Sequence, residues 1–146
     1  MSDPRRRPEL ERVSSIGRLL KFATQDRISR GDGIETVRLS EPLLDGQSFI
    51  KGITSFPPGA GLDEHSHNTV EQVTVLEGSG FVEIAGVQHR LDQYDCTQVP
   101  AGEPHRFVND GDSVMRILWV YGRPDVTRTF TATGETVSNH AKPSSS

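Results

Sequence analysis

The stretch GAGLDEHSHNTVEQ, residues 59–72, places two histidines one residue apart and a glutamate four residues after the second histidine. His65 and His67 stand at positions i and i+2, so in a β-strand both imidazoles leave the same face of the sheet. Two imidazoles in this arrangement can bind one divalent metal ion. Glu71 cannot join them along a straight strand, because four residues rise about 13 Å. We therefore expect the chain to turn at Asn68, so that Glu71 begins the next strand and points back inward.

The sequence around this stretch is typical of an all-β protein. Its 14 glycines and 9 prolines fall at short intervals between segments rich in β-branched and aromatic residues, as in a sandwich or barrel of short strands. Between Phe49 and Tyr121 no apolar pattern has the period of a helix. The predicted strands are SFIKGITSF (48–56), EQVTVLEG (71–78), FVEIAG (81–86), QHRL (88–91), CTQVP (96–100), HRFVN (105–109) and VMRILWVYG (114–122).

A third histidine follows in the stretch PAGEPHRFVN, residues 100–109. Pro100, Gly102 and Pro104 predict a tight turn that presents His105 at the start of a strand. An isolated His-x-His pair is more often solvated or buried in a core than bound to a metal. A third histidine on a rigid turn, in an all-β chain that already has the pair, favours a metal site.

Together the two stretches resemble the two motifs of the cupins, in particular a small single-domain cupin of the RmlC-like type. The first motif is a glycine, five residues, His-x-His, three or four residues, a glutamate, six residues and a glycine. It is matched at every spacing by Gly59, His65, His67, Glu71 and Gly78. The second motif is matched by Pro100, Gly102, His105 and Asn109, with Tyr94 in place of its first glycine. This departure concerns a turn and no metal ligand.

The resemblance implies a jelly-roll β-barrel, or double-stranded β-helix, in which three histidines and the glutamate hold one divalent metal ion. Carried over position by position, the ligands are His65, His67, Glu71 and His105. The set suits Fe, Mn, Ni, Zn or Cu and is not the two-histidine facial triad of iron oxygenases. Fe or Mn is favoured, because an octahedral ion keeps two positions for water or substrate. Glu71 could also act as a general base, although the role of a simple ligand is favoured.

Six residues are candidates for the lining of a substrate pocket beside the metal. Phe107 shares the parity of His105 in its strand, so its ring should point inward. For Tyr94, Met115 and Trp119 the favoured alternative is packing in the core. The candidates are Val73, Val75, Phe107, Tyr94, Met115 and Trp119.

Composition narrows the class of protein. A net charge of −4 provides no basic field, which argues against a nucleic-acid partner. No apolar stretch approaches the roughly 20 residues that span a bilayer, and no secretory signal is visible, so we expect a soluble, cytoplasmic protein.

The single cysteine, Cys96, excludes an intramolecular disulfide and is expected to be a small buried hydrophobe. Gln72 and Gln98 are expected to face solvent, and His89 and His140 show no ligand spacing.

The expected organisation is one barrel between two extensions. We predict a disordered tail over residues 1–12, an N-terminal extension over 13–44, the barrel over 45–122, and a C-terminal extension and tail over 123–146. The segment SSIGRLLKF (14–22) could be a short helical turn or an edge strand. The β-prone segment DVTRTFTATGETV (125–137) is expected to cover a sheet edge, in this chain or in a partner. The resemblance also implies a homodimer.

The sequence is compatible with three functions. The first is a metal-dependent enzyme on a small organic molecule, most simply an iron dioxygenase. The second is a redox-neutral, metal-dependent isomerase, decarboxylase or lyase, in which the ion acts as a Lewis acid. The third is a non-catalytic barrel that binds a small molecule. Cupins host unrelated chemistries on one ligand set, so the motifs do not name the substrate.

Overall fold

The computed structural model describes residues 10–11, 17–40 and 48–139. Within these residues the chain forms fourteen β-strands and one short 3-10 helix, Phe22–Thr24, which confirms the all-β fold class. The strands are β1 Leu10–Glu11, β2 Leu19–Leu20, β3 Ile28–Ser29, β4 Glu35–Arg38, β5 Ile50–Phe56, β6 His65–His67, β7 Glu71–Glu77, β8 Gly80–Ile84, β9 Val87–Leu91, β10 Cys96–Val99, β11 His105–Val108, β12 Met115–Tyr121, β13 Thr127–Phe130 and β14 Thr136–Ser138.

Two six-stranded antiparallel sheets make up the body of the molecule. The first sheet has the strand order β10-β7-β12-β5-β4-β3, and the second has the order β14-β13-β6-β11-β8-β9. Strands β1 and β2 pair with each other in a separate ribbon. Neighbours in sequence often lie in different sheets, as β6 and β7 do, and this alternation is the architecture of a jelly roll. The predicted jelly-roll fold is therefore confirmed.

The core lies between the two sheets and follows from the period of two in the strands. In β12 the residues at odd positions, from Met115 to Tyr121, are buried while those between them are partly exposed. The largest fully buried side chains are Phe56 from the first sheet and Phe107 from the second. Burying one side chain of this size contributes about 1.5–3 kcal/mol.

All seven predicted barrel strands are present, and the terminal segments add to the sheets. Strand β4 pairs with β5, and β3 pairs with β4, so residues 28–38 extend the first sheet. Strands β13 and β14 form a hairpin, and β13 pairs with β6. The C-terminal segment therefore covers an edge of its own chain, next to the two histidines. The segment 14–22 yields β2 and the first residue of the 3-10 helix, although residues 14–16 lie outside the described residues.

Some predictions concern residues or properties that the structure does not describe. Most of the predicted disordered tail, together with residues 41–47 and His140, lies outside the described residues. The domain boundaries and the homodimer stay predictions. Among the described residues, no helix has the length and apolar character needed to cross a membrane.

The prediction of a buried Cys96 is wrong, because this side chain is exposed. Strand β10 is the outer strand of the first sheet, and along it only Val99 is buried. On its solvent side, Gln72 Nε2 donates a hydrogen bond of 2.6 Å to Gln98 Oε1. The two glutamines thus face solvent, as predicted.

Turn residues explain how the chain changes sheets. Gly78 follows β7 with φ +75°, and a Cβ there would lie 2.4 Å from the Val114 carbonyl oxygen, so only glycine fits without a shift. Tyr94 has φ +72°, the left-handed conformation that non-glycine residues rarely adopt. It stands where the second motif has glycine, so the departure from the motif places an unfavourable residue in this turn.

Candidate metal centre

The four predicted ligands come from three strands and meet between the sheets. His65 and His67 lie on β6 and His105 on β11, both in the second sheet, whereas Glu71 begins β7 in the first sheet. Their exposed fractions are 4 % for His65 and His67, 1 % for His105 and 3 % for Glu71. The turn after β6 carries the chain across to the other sheet, which is how Glu71 comes to face the histidines.

The three histidines can hold one ion, since one ring nitrogen of each lies within 4.8 Å of the others. Glu71 adds two short contacts, with Oε2 at 3.2 Å from His67 Nε2 and Oε1 at 3.1 Å from His105 Nε2. Two ligand atoms about 2.1 Å from one ion, at right angles, lie about 3 Å apart. The spacing of Glu71 from the two histidines is compatible with all three residues binding one ion.

Main-chain carbonyl groups orient all three imidazole rings. Nδ1 of His65 lies 2.6 Å from the Asp63 oxygen, Nδ1 of His67 lies 3.0 Å from the Thr127 oxygen, and Nδ1 of His105 lies 2.9 Å from the Glu103 oxygen. A carbonyl can only accept, so each Nδ1 donates its proton. In the neutral ring Nε2 then carries the lone pair that binds a metal.

The Nε2 lone pairs face the Glu71 carboxylate, and this arrangement leaves polar atoms unsatisfied. His67 Nε2, His105 Nε2 and Glu71 Oε1 are buried and make no hydrogen bond of acceptable geometry, although they are close together. An unsatisfied buried polar atom costs about 1–3 kcal/mol. A divalent cation between the rings and the carboxylate would satisfy all of these atoms, so the residues present fit such an ion.

The electrostatics of the metal-free cluster follow from burial and proximity. Burial lowers the pKa of His65 to about 3, and the neighbouring His105 and His67 add to the shift. Burial alone would raise the pKa of Glu71, but its contacts with His105 and His67 outweigh burial and hold that pKa below the usual range. Burial lowers the pKa of His105, yet the adjacent Glu71 raises it further, for a net increase. His65 and Glu71 are thus held in the forms that bind a metal.

A cavity opens beside the cluster, and His65 and Glu71 form part of its wall. The volume open to the centre of a water-sized molecule is about 30 Å³, enough for two or three waters or a small ligand. Of the six candidates for its lining, Phe107 and Trp119 are in the wall.

The other four candidates lie elsewhere. Val73, Val75 and Met115 are buried in the apolar core and are not part of this wall, so a role for the two valines at a substrate stays a prediction. Tyr94 is 72 % exposed and is not part of the wall.

Sequence reasoning missed most of the wall. The additional residues are Arg30, Thr36, Thr54, Leu62, Ile117, Tyr121, Arg128 and Asn139. Tyr121 shares the parity of Trp119 in β12, which was a usable signal. Arg30 and Arg128 belong to segments interpreted as extensions, so nothing in the local pattern placed them at the centre.

Two packed antiparallel sheets with three histidines gathered between them define a jelly-roll protein with a candidate metal centre. Residues 52–121 match the model of the cupin domain family. This segment of the chain is therefore a cupin domain, and the predicted resemblance is confirmed.

Solved structures share the fold at low sequence identity. A sugar phosphate isomerase of the cupin superfamily from Silicibacter pomeroyi superposes with a TM-score of 0.65 at 22 % identity, over 86 % of this chain and 95 % of that chain. A predicted oxalate decarboxylase from Thermotoga maritima gives 0.63 at 22 %, over 72 % and 98 %. Salicylate 1,2-dioxygenase from Pseudaminobacter salicylatoxidans gives 0.58 at 16 %, over 65 % of this chain but only 28 % of that chain. At these identities the likeness establishes the fold alone.

Proposed function

We propose that the chain is a metal-dependent enzyme that acts on a small organic molecule at the centre formed by His65, His67, Glu71 and His105. The observation that carries this proposal is the set of buried Nε2 and carboxylate atoms that face one another without hydrogen bonds. Such atoms are costly unless a ligand satisfies them. A cavity lies next to the cluster, with His65 and Glu71 in its wall, and would be the place for a substrate.

The protein's own residues would prepare the centre for chemistry. The Nδ1 hydrogen bonds to main-chain oxygens fix the ring orientations before any ion binds, which lowers the cost of forming the site. Burial strengthens electrostatic contacts inside the cavity, because the protein interior has a lower effective dielectric constant than water. A divalent ion held there would supply Lewis acidity or, in the case of iron, electrons for a reaction with dioxygen.

An iron dioxygenase is the first reaction to test, and iron or manganese is the proposed metal. Four protein ligands would leave two positions free on an octahedral ion, which is room for two reactants. The second candidate is a redox-neutral isomerase or decarboxylase. It is supported by the polar wall of the cavity, because threonine, asparagine and arginine side chains can bind an oxygen-rich substrate. Relatives in fold include a sugar phosphate isomerase and a predicted oxalate decarboxylase.

Metal analysis of the purified protein is the first experiment. We expect one ion per chain in the wild type and in His89→Gln, whose exposed histidine lies on β9 away from the cluster. We expect no stoichiometric metal in His105→Gln. A wild-type protein that binds no divalent ion from a panel of Fe²⁺, Mn²⁺, Ni²⁺, Zn²⁺ and Cu²⁺ would overturn the proposal.

Reaction type is tested next with the loaded protein. Oxygen uptake by the ferrous form with candidate phenols, diketones or thiols supports a dioxygenase. Turnover with manganese or zinc under argon supports the redox-neutral alternative. Ligand binding without turnover of any substrate would leave a non-catalytic binding barrel. The proposed homodimer is tested separately by light scattering on the eluting protein.

A further inference from the structure

Two arginines from opposite ends of the described chain meet at the cavity. Arg30 follows β3, and Arg128 lies in the middle of β13. In the pairing of β13 with β6, Arg128 stands directly opposite His67. Residues paired in this way project from the same face of a sheet. Arg128 is therefore the neighbour of a metal ligand on the inner face of the second sheet.

Both guanidinium groups donate a hydrogen bond to the same main-chain carbonyl oxygen, that of Asn139. Arg30 Nη2 donates to the Asn139 main-chain oxygen at 2.8 Å, and Arg128 Nη2 donates to the same oxygen at 3.3 Å. The two cationic nitrogens are therefore at most about 6 Å apart, close enough for like charges to repel. Arg128 also donates from Nε to the Asn139 side-chain oxygen at 3.0 Å.

Arg30 is fixed from its other side as well. Its Nε donates to Thr36 Oγ1 at 3.4 Å, and the hydroxyls of Thr36 and Thr54 lie 2.8 Å apart. Trp119 Nε1 donates to Thr54 Oγ1 at 3.0 Å. A chain of hydrogen bonds thus links Arg30 to the indole of Trp119, and all four residues line the cavity.

The wall of the cavity carries more positively charged than negatively charged side chains. Among the residues of its wall, Arg30 and Arg128 are cationic, and Glu71 is the one carboxylate. Glu71 is already engaged with His67 and His105. Burial lowers the pKa of Arg30 to about 10, and Arg128 adds to the shift, so the Arg30 guanidinium stays charged at neutral pH. An ion at the histidines would increase the positive charge further.

We infer that Arg30 and Arg128 form an anion-binding subsite, and that the ligand of this protein is a small organic acid or phosphate whose anionic group binds there. Nε and Nη2 of both guanidinium groups already donate to Thr36 and Asn139, so an anion would bind to the Nη1 side of Arg128 and be held by the combined charge of the two groups. An anion between the two cations would replace their repulsion with attraction. The remainder of the ligand would then extend toward His65 and Glu71. This inference rests on the proposed function for the direction of the ligand, but the anion subsite itself requires only the two arginines.

The test uses malonate as a carboxylate probe, inorganic phosphate as a phosphate probe, and glycerol as a neutral control. The full chain is first freed of metal, and binding is followed by the fluorescence of Trp119, which is the only tryptophan of the chain. We expect saturable changes with malonate or phosphate, a parallel increase in Tm, and no change with glycerol. The tighter of the two probes identifies the anion class. No saturable change with either anion, in both the metal-free and the manganese-loaded protein, would overturn the inference.

Variants assign the subsite to the two arginines. Arg30→Gln and Arg128→Gln should each weaken binding of the tighter probe at least tenfold, because one charged partner is lost. Arg30→Lys keeps the charge without the fork and should weaken binding less. Arg106→Gln is the matched control, since Arg106 is partly exposed and lies 3.6 Å from Glu83 on the outer side of the second sheet. Its affinity should stay within twofold of the wild type. Equal losses in Arg106→Gln and Arg30→Gln would contradict the assignment.

The two proposals fail separately. Anion binding by a protein that takes up no metal would support the subsite and overturn the proposed function. Stoichiometric metal binding without anion binding would support the metal centre and overturn the subsite. Isothermal titration of manganese-loaded protein with malonate supplies the second readout, and a tighter Kd than in the metal-free protein is expected.

Discussion

His65 and His105 lie directly opposite each other on the neighbouring strands β6 and β11, with ring centroids 4.7 Å apart. They belong to two different motifs and are forty residues apart in sequence, and a single antiparallel register makes them neighbours. Each ring is oriented by a main-chain oxygen two residues earlier in the sequence. The two histidines are therefore positioned in the same way. In each case the residues just before the strand orient the ring, and the strand carries the imidazole into the centre.

Loss of either histidine of this pair should abolish tight metal binding. Mutation of an outer-shell partner of a metal ligand already costs 10–100-fold in affinity, so we expect His105→Gln to lose about 100-fold or more. Isothermal titration with Mn²⁺ or Zn²⁺ measures the change. His89→Gln, at an exposed position of β9, should bind as the wild type does. Wild-type affinity in His105→Gln would remove His105 from the ligand set.

Metal loading should stabilise the folded protein. At a free metal concentration 100 times Kd, binding adds about 2.7 kcal/mol to the free energy of unfolding. For a chain of this size that corresponds to an increase in Tm of about 5–10 °C. Differential scanning calorimetry with and without the ion measures it. The increase should vanish in His105→Gln, and an equal increase in that variant would place the ion elsewhere.

The stability of the metal-free protein should fall in mild acid because of His65. Its pKa is about 3 in the fold and about 6.5 in the unfolded chain, so the unfolded state binds the extra proton first. The free energy of unfolding should therefore decrease below pH 6.5, by about 2–3 kcal/mol at pH 4.5 from this group alone. The raised pKa of His105 acts with the opposite sign. Its contribution is complete below the unfolded value and is lost as the pH rises through the folded value.

Urea unfolding at pH 7 and pH 4.5, with the metal removed, measures the effect of His65. The variant His65→Gln cannot take up the proton and should show a shallower loss of stability between the two pH values. His89→Gln is the control and should keep the wild-type slope. An identical slope in wild type and His65→Gln would show that other groups cause the acid sensitivity.

Tyr94→Gly should stabilise the protein. The residue has φ +72°, which costs a non-glycine residue about 1–2 kcal/mol, while glycine adds about 0.5–1 kcal/mol of entropy to the unfolded chain. The net gain should be up to about 1 kcal/mol by urea unfolding. Tyr94→Ala keeps the strained conformation and should show no gain. Stabilisation by alanine equal to that by glycine would trace the effect to the exposed ring.

Asn109→Ala should destabilise the fold without changing the metal ligands. The buried Asn109 donates from Nδ2 to the oxygens of Phe56 and Ser113 and accepts from the Gly111 N–H. Loss of these bonds leaves buried groups unsatisfied and should cost about 3 kcal/mol or more. Urea unfolding of the metal-free protein measures the cost. Asn68→Ala, which loses two hydrogen bonds at an exposed residue, should cost less than about 1 kcal/mol.

The strand pattern and the histidine ligands could be predicted because both are local signals. A period of two, broken by glycine and proline, marks each strand wherever it finally pairs. The motif spacing then placed His65, His67 and His105 near one another through the resemblance to cupins. Local patterns failed where exposure depends on the position of a strand within a sheet. Cys96 is in a strand as expected, but its strand is an outer one, so the side chain is exposed.

The sequence by itself determined that the chain would form many short strands and carry three histidines and a glutamate at the spacings of a metal site. Only the tertiary structure decided what surrounds that site. Arg30 and Arg128 are nearly one hundred residues apart, and both reach the carbonyl oxygen of Asn139 because β3 and β13 extend opposite sheets around one cavity. Pairing between distant strands depends on the global packing of the sheets, and neither arginine has a neighbour in sequence that reveals it.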